Sequence, residues 1–531
     1  MSAFILSLSA ASVNRRVGAY APKRISDKVK SRLQILFGKD ILEKNASAFS
    51  SGRFAEKLHF LRKEEYPMNS AFDTYFTGLK NKKIAVLGLG VSNRPLVRLL
   101  LEYGCDVVGC DRTPREKLDA EVLELEAMGC RLHVGDGYLD DVKADILFRT
   151  PGMHPNNPAI ETLRSRGAEV TSEMEAFFEV CPCPIIGVTG SDGKTTTTTL
   201  ISEMLKAEGK TVWLGGNIGT PLLPLTRQMK ETDLAVVELS SFQLMDMTRS
   251  PQRAVVTNLA PNHLDIHKDM QEYIDAKKNI FLHQNAFGRT VLNADNSITA
   301  GFAPEVRGQL YTFSRRGRCA YGAWVDEAGR ILLSQGKDDT YVMDASEIKI
   351  PGAINVENYL AAICAVWGDV PIDIIRVVAR NFGGVEHRAE LVRELDGVKW
   401  YNDSIGTSPT RTARGTLSLY DRKIILIAGG YDKKIPYDDL GPVIVGKVKT
   451  LVLMGATGPK IEAAVKAAPA YEEGSPKILH ARSMEEAVEI CRAEAQAGDI
   501  VSLSPASASF DLYANFAERG NHFKRLVNAL K

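Results

Sequence analysis

The chain has 531 residues, 44% of them hydrophobic and 25% charged, with a formal net charge of +1. That length accommodates about three or four domains of ordinary size, and the near-zero charge offers no basic field for a nucleic acid. No apolar run approaches the roughly 20 residues needed to span a bilayer, and eight scattered cysteines with no CxxC pair suit a reduced compartment better than a disulfide framework.

Residues 1–67 are basic, serine-rich and weakly periodic. Arg15, Arg16, Lys23 and Arg24 all precede the first acid, Asp27, as in an organellar transit segment. The apolar stretch 3–11 has no charged region before it, so it makes a poor secretory signal. The expectation is an appendage, poorly ordered or arising from an over-extended start, with Met68 just ahead of the first true domain.

The first regular element is a strand over residues 83–87, followed by Gly88-Leu89-Gly90, a helix over about 93–103, and a second strand over 106–110 that leads into Asp111. This βαβ opening has the turn of a dinucleotide fold without its third glycine, because Asn93 holds that place. An NAD-dependent dehydrogenase would rest on Gly88, Gly90 and Asp111 alone. Another nucleotide diphosphate can use the same turn. A further strand at 145–149 runs into Thr150-Pro151-Gly152, at the carboxyl end where ligands sit in open α/β sheets.

Residues 184–188 read as a buried strand and 197–205 as a helix. Between them lies Gly187-Val188-Thr189-Gly190-Ser191-Asp192-Gly193-Lys194-Thr195-Thr196. Backbone N–H groups of such a glycine-rich turn point at phosphates, and the helix N-terminus adds positive partial charge. Lys194 is placed to reach the β- and γ-phosphates and Thr195 to ligate Mg²⁺. The glycines are shifted from the usual spacing, since Val188 stands where the first would be. Strands at 235–239 and 254–258 follow. Glu238, closing the first of them, is a typical Mg²⁺ ligand beside a phosphate loop. His263 and His267 are four apart, but no third ligand shows zinc spacing. Lys277 and Lys278, in a helical pattern over 273–281, read by themselves as solvent-facing charges. Strands at 424–428, 450–454 and 499–503, with a helix over 483–497, make a third α/β unit whose polar loops follow its strands.

These segments in this order resemble the Mur ligases, the ATP-dependent amino-acid ligases of peptidoglycan precursor synthesis, from about residue 70 to residue 531. Gly216-Asn217-Ile218-Gly219-Thr220-Pro221, Glu238-Leu239-Ser240-Ser241-Phe242-Gln243-Leu244 and Ser504-Pro505-Ala506-Ser507-Ala508-Ser509-Phe510-Asp511, with Asn515-Phe516 and Glu518-Arg519-Gly520, carry the likeness. They point to the branch that adds D-glutamate to UDP-N-acetylmuramoyl-L-alanine. The DNPR motif of the diaminopimelate-adding branch is absent. The runner-up is another ligase of the Mur or folylpolyglutamate type with a different acceptor. A nucleotide-binding regulator is disfavoured by intact Lys194, Thr195, Glu238, His263 and Lys277.

The resemblance implies an α/β protein of three domains: a Rossmann-like UDP-substrate domain over 68–180, a P-loop ATPase-like domain with a mainly parallel sheet over 181–381, and a Rossmann-like amino-acid domain over 382–531. It implies a cytoplasmic monomer using ATP, two Mg²⁺ ions and a CO₂-derived carbamate on Lys277. Lys194, Glu238, His263 and Lys277 become catalytic. Thr195 and Glu238 hold one metal; His263 and carbamylated Lys277 hold the other. Gly190, Ser191, Asp192, Gly193, Lys194, Thr195, Thr196, Asn355, Asn358, Arg388 and Asp403 fall on the ATP side. Gly90, Val91, Ser92, Asp111, Arg112, Thr150 and Asn217 fall around the UDP-substrate. Thr407, Lys433, Ser509, Phe510 and Phe516 form the D-glutamate pocket, where a cation and hydroxyls suit a dicarboxylate. One departure stands out: Ile405 stands where the family often has a lysine, so either Lys434 or Arg411 substitutes or this branch dispenses with that lysine.

Overall fold

The computed structural model describes residues 70–261 and 266–531. The appendage expected over 1–67 lies outside the described residues, as do His263 and Asp265. Residues 69–531 hold together as one unit built on three sheets.

The first sheet contains β1 (Lys83–Leu87), β2 (Asp106–Asp111), β3 (Arg131–Val134), β4 (Ile146–Arg149) and β5 (Glu169–Ser172), all parallel in the order β3-β2-β1-β4-β5. β1 and β4 are almost wholly buried, as their unbroken apolar runs require of a parallel sheet covered on both faces. Chain direction reverses its progress across the sheet between β1 and β4. The turns after these two strands therefore flank a crevice at the carboxyl edge.

The second sheet contains β6 (Ile185–Thr189), β7 (Val212–Gly216), β8 (Leu234–Glu238), β9 (Arg253–Val256), β10 (Arg289–Asn293), β11 (Gln309–Ser314), β12 (Tyr321–Val325), β13 (Arg330–Gln335) and β14 (Asp338–Asp344). Their order is β14-β13-β12-β11-β10-β9-β6-β8-β7. The sheet is parallel from β7 to β12, and β12 to β14 form an antiparallel meander that closes one edge. β6 sits between β8 and β9, so the loop after β6 lies between the ends of both. Helices Lys194–Ala207 and Ala353–Val366 pack together on one face. The opposite face, with helix Met270–Leu282, shares a continuous apolar core with the first sheet through Phe72, Ile84, Val237, Tyr273 and Phe281. Burying one core across both sheets resists their independent motion.

The third sheet pairs β15 (Glu390–Leu395) antiparallel with β16 (Val398–Asn402). It then runs parallel through β20 (Ile500–Leu503), β17 (Ile424–Ala428), β18 (Val448–Leu453) and β19 (Lys477–His480). The loops after β16, β17 and β20 open on the same edge because all three strands are parallel. This is the α/β fold class with largely parallel sheets that the alternation of elements implied.

Candidate active site

The loop after β6 is shaped by two glycines in conformations that L-residues avoid, Gly190 (φ 150°) and Gly193 (φ 79°). A Cβ on Gly190 would lie 1.9 Å from Thr257 Oγ1, and one on Gly193 would lie 2.3 Å from Asn358 Oδ1. The loop is also tied to the segment after β9. Thr257 Oγ1 donates to Asp192 O at 2.6 Å, Asp192 N donates to Asn258 Oδ1 at 3.0 Å, and Ser191 Oγ donates to Ala260 O at 3.0 Å. Tyr273 OH stands 2.9 Å from Ser191 Oγ. The turn is thus fixed before any phosphate reaches it, which spares the ordering cost on binding.

Lys194 opens the following helix and folds back on the loop, donating to Gly190 O at 2.9 Å and Ser191 O at 3.0 Å. Burial lowers its pKa; Glu238 and Asp192 oppose that, while Arg388 and Arg411 reinforce it. Thr195 occupies the same first turn, half-buried.

Glu238 closes β8 and is buried. Its Oε1 accepts from Asn217 Nδ2 at 2.8 Å, and its Oε2 is buried with no hydrogen-bond partner among the described residues. Asn217 is held in turn by its backbone N–H on Glu238 O at 2.8 Å. An orphaned carboxylate oxygen beside a phosphate loop fits a hard cation such as Mg²⁺.

Lys277 and Lys278 diverge completely. Lys278 pairs with Glu305 at 2.6 Å, whereas Lys277 is buried and donates to Thr189 Oγ1 and Gly190 O, both at 3.0 Å. Its ammonium stands 5.0 Å from the centroid of the Tyr273 ring. Burial first and nearby Lys194 second hold its pKa well below that of a free lysine, against the opposing pull of Glu238. Reading it as solvent-facing from its helix alone is therefore corrected. His267 is also buried, 2.9 Å from Ser241 Oγ and stacked on Phe242. No cluster of three or more metal-binding side chains occurs among the described residues.

The third sheet brings further charge to this loop. Arg388 lies between two non-glycine residues with positive φ, His387 (60°) and Ala389 (42°), a strained conformation of the kind concentrated at functional sites. Ala389 N donates to Asp403 Oδ1 at 3.2 Å, and His387 Nδ1 lies 2.9 Å from Asn402 Nδ2. Arg388 Nε has no partner among the described residues, and burial, with Arg411 adding to it, brings the guanidinium down to about 10. Asp403 is itself absorbed by Thr416 Oγ1 and by Ser504 Oγ at 2.9 Å. Asn358 accepts from Thr197 Oγ1 at 3.2 Å and donates to Asn355 Oδ1 at 3.1 Å, so these two asparagines brace the underside of Gly193.

At the first sheet, Asp111 receives Leu89 N at 2.8 Å and Thr113 N at 2.9 Å. Burial opposes its ionisation, but these backbone donors prevail and its pKa is lowered. Asn93 Nδ2 bonds Leu87 O at 3.0 Å and Gly88 O at 2.9 Å, which explains an asparagine in the third glycine's place. Gly90, Val91 and Arg112 are exposed, Ser92 is half-buried, and half-buried Thr150 packs against Gly88. At the third sheet, Thr407, Lys433, Ser509, Phe510 and Phe516 all lie on segments beyond strand carboxyl ends. Ser509 is buried, Lys433 and Phe510 are exposed, and Phe516 is half-buried with its ring against His387.

Two buried arginines that the sequence reading gave no role organise these loops. Arg519 donates to Ser404 O at 2.9 Å, Ser507 O at 3.1 Å and Ala508 O at 3.0 Å, joining the loops after β16 and β20. Arg149 donates to Met153 O at 2.7 Å and Phe242 O at 3.0 Å, joining the first sheet to the segment after Glu238. Their partners lie up to 115 residues away, so no local pattern could mark them.

The Mur ligase middle domain matches residues 188–366, and the Mur ligase glutamate ligase domain matches residues 387–507. The UDP-N-acetylmuramoylalanine–D-glutamate ligase of Acetivibrio thermocellus is 53% identical over 467 residues, covering 87% of this chain and all of that protein. The ligase of the same name from Ruminiclostridium cellulolyticum is 49% identical over the same length and coverage. Among solved structures, the UDP-N-acetylmuramate–alanine ligase of Thermotoga maritima superimposes with a TM-score of 0.50 at 16% identity, over 85% of this chain and all of that one, a likeness of fold. The chain belongs to the Mur ligase family.

Proposed function

We propose that this Mur ligase adds D-glutamate to UDP-N-acetylmuramoyl-L-alanine with cleavage of ATP to ADP and phosphate. The observation that carries this reading is 53% and 49% identity to ligases of that name along their whole length. The substrate carboxylate attacks the γ-phosphorus of ATP, and the β–γ bridging bond breaks to release ADP. The D-glutamate amine then attacks the acyl carbon, phosphate leaves, and the amine gives up its proton. Such chemistry depends on positioning and on charge stabilisation more than on covalent participation by the protein.

In this reading the backbone donors of residues 190–195 hold the phosphates, and Lys194 exchanges its two loop carbonyls for phosphate oxygens. Glu238 Oε2, with the Thr195 hydroxyl, supplies oxygen ligands for one Mg²⁺. A Mg²⁺ held there would supply charge neutralisation on the phosphates. Lys277, whose ammonium form burial disfavours, would add CO₂ with loss of a proton to give a carbamate, whose oxygens, together with His263, would hold a second Mg²⁺. Three domains divide the labour. Residues 68–180 hold the UDP-substrate through the loops after β1, β2 and β4, 181–381 hold ATP, and 382–531 hold D-glutamate through Thr407, Lys433, Ser509, Phe510 and Phe516. No helix among the described residues is long and apolar enough to cross a membrane, and we place the enzyme in the cytoplasm as a monomer.

Phosphate release measured against a panel of acceptors tests the assignment. Turnover is expected only with ATP, UDP-N-acetylmuramoyl-L-alanine and D-glutamate together. Turnover supported by L-glutamate or L-lysine in place of D-glutamate would overturn it.

A further inference from the structure

Thr189 is the last residue of β6, where the strand turns into the phosphate loop, and it is fully buried. Its branched Cβ restricts the side-chain rotamer. The hydroxyl donates its proton to Leu239 O at 2.7 Å, the carbonyl of the residue directly after Glu238. With that proton committed, only the oxygen's lone pairs remain for a second partner. That partner is Lys277, whose Nζ donates to Thr189 Oγ1 at 3.0 Å. One side chain thus ties the end of β8, which carries Glu238, to the helix Met270–Leu282, which carries Lys277.

Lys277 Nζ has two acceptors, Thr189 Oγ1 and Gly190 O, and no third among the described residues. An ammonium would leave one N–H unmet in a buried place, which is costly. A neutral amine gives both of its N–H groups to these acceptors and turns its lone pair away from them. The two acceptors are not equivalent. Gly190 O also receives Lys194 Nζ at 2.9 Å, whereas Lys277 is the one side chain that donates to Thr189 Oγ1 among the described residues.

We infer that Thr189 is a positioning residue for the carbamylation of Lys277: it holds one N–H of the amine so that the nitrogen lone pair is presented to CO₂, and it keeps the single N–H that the carbamate retains. The inference rests on the reading of Lys277 as a carbamate. The lone pair forms the N–C bond, one π pair of CO₂ moves onto oxygen, and the nitrogen gives up one proton to water. Because Lys194 competes for Gly190 O, the remaining N–H stays on Thr189 Oγ1. A ligand fixed in this way at its nitrogen presents its oxygens in one orientation, which is what partners behind a metal ligand supply.

The test is ¹³C NMR of the whole protein titrated with ¹³C-bicarbonate, in wild type, Thr189→Val and Thr189→Ser, beside calorimetric binding of Mg²⁺-ADP. Thr189→Val keeps the branch and the volume and lacks the hydroxyl. It is expected to need about tenfold more bicarbonate for a half-maximal carbamate signal, the effect of one lost hydrogen bond, while binding ADP like wild type. Its turnover should recover as bicarbonate is raised. Thr189→Ser restores the hydroxyl and is expected to titrate like wild type. A titration of Thr189→Val that superimposes on wild type would overturn the inference. So would loss of ADP binding together with the signal, which would make the hydroxyl a structural support of the loop. If Thr189→Val does not fold, Thr189→Ala, which leaves room for a water, is read by the same criteria. A wild type with no carbamate signal would remove the carbamate and this role with it; a signal present in wild type and undiminished in Thr189→Val would remove the role of Thr189 alone.

Discussion

Asn217 holds one oxygen of Glu238 at 2.8 Å and leaves the other buried without a partner among the described residues. A buried carboxylate oxygen in that condition is unfavourable unless a cation or donor meets it. Asn217 thereby fixes which oxygen is left for a cation. Glu238→Gln is expected to abolish turnover. Asn217→Ala is expected to raise the Mg²⁺ concentration for half-maximal activity by about 10–100-fold, the usual effect of losing a residue that orients a metal ligand. Turnover at saturating Mg²⁺ should be largely retained. Phosphate release titrated with Mg²⁺ checks both. An unchanged Mg²⁺ curve with a raised KM for the nucleotide-sugar would assign Asn217 to the substrate instead.

Lys277 lies beneath the phosphate loop with its pKa held down by burial and by Lys194. Only the neutral amine adds CO₂, and each addition releases a proton, so carbamate formation is favoured as pH rises. Activity should therefore fall on the acid side and rise with added bicarbonate at fixed pH. ¹³C NMR after ¹³C-bicarbonate should show a carbamate resonance that Lys277→Ala lacks. That variant should lose most activity and partly regain it with formate or acetate, whose oxygens can replace the missing ligand. Full activity in Lys277→Ala would remove the carbamate from the mechanism.

The difference between Lys277 and Lys278 marks where the sequence was legible and where it was not. The phosphate loop was readable because glycines with forced backbone angles sit beside a five-residue buried strand and a helix, all within some twenty residues. Lys277 looked like any surface lysine. Yet Tyr273, Ala276, Lys277, Ile280 and Phe281 form one buried stripe at helical spacing, which places Lys277 on the apolar face. That signal was present and local. Asp403 was different: its resemblance-based place beside ATP gave no hint that Thr416, Ser504 and Ala389 occupy both its oxygens. Arg149 and Arg519 depend on carbonyls brought together by tertiary folding. The antiparallel meander β12–β14 carried no motif, and its strands are partly exposed instead of forming unbroken buried apolar runs such as β6.

Glu173 offers a test of the fold independent of catalysis. It is the first residue of helix Glu173–Val180, behind the N-cap Ser172, where a negative charge would ordinarily be favoured. Burial overrides that preference. Oε1 has no partner among the described residues, and burial, only partly opposed by the Leu223 backbone, pushes the carboxyl up to about 7. A folded pKa above the unfolded one means that the native state binds the proton more tightly. The resulting stability is fully present below the ordinary glutamate range near 4.5 and is lost as pH rises through 7. Glu173→Gln keeps the shape and cannot ionise. It should melt close to wild type at pH 5 and higher than wild type at pH 8, by an amount corresponding to roughly 3 kcal/mol. Because every other titrating group is common to both proteins, the difference between their melting curves isolates this one carboxyl. Parallel curves across the whole range would mean that Glu173 ionises in the folded protein as easily as in water.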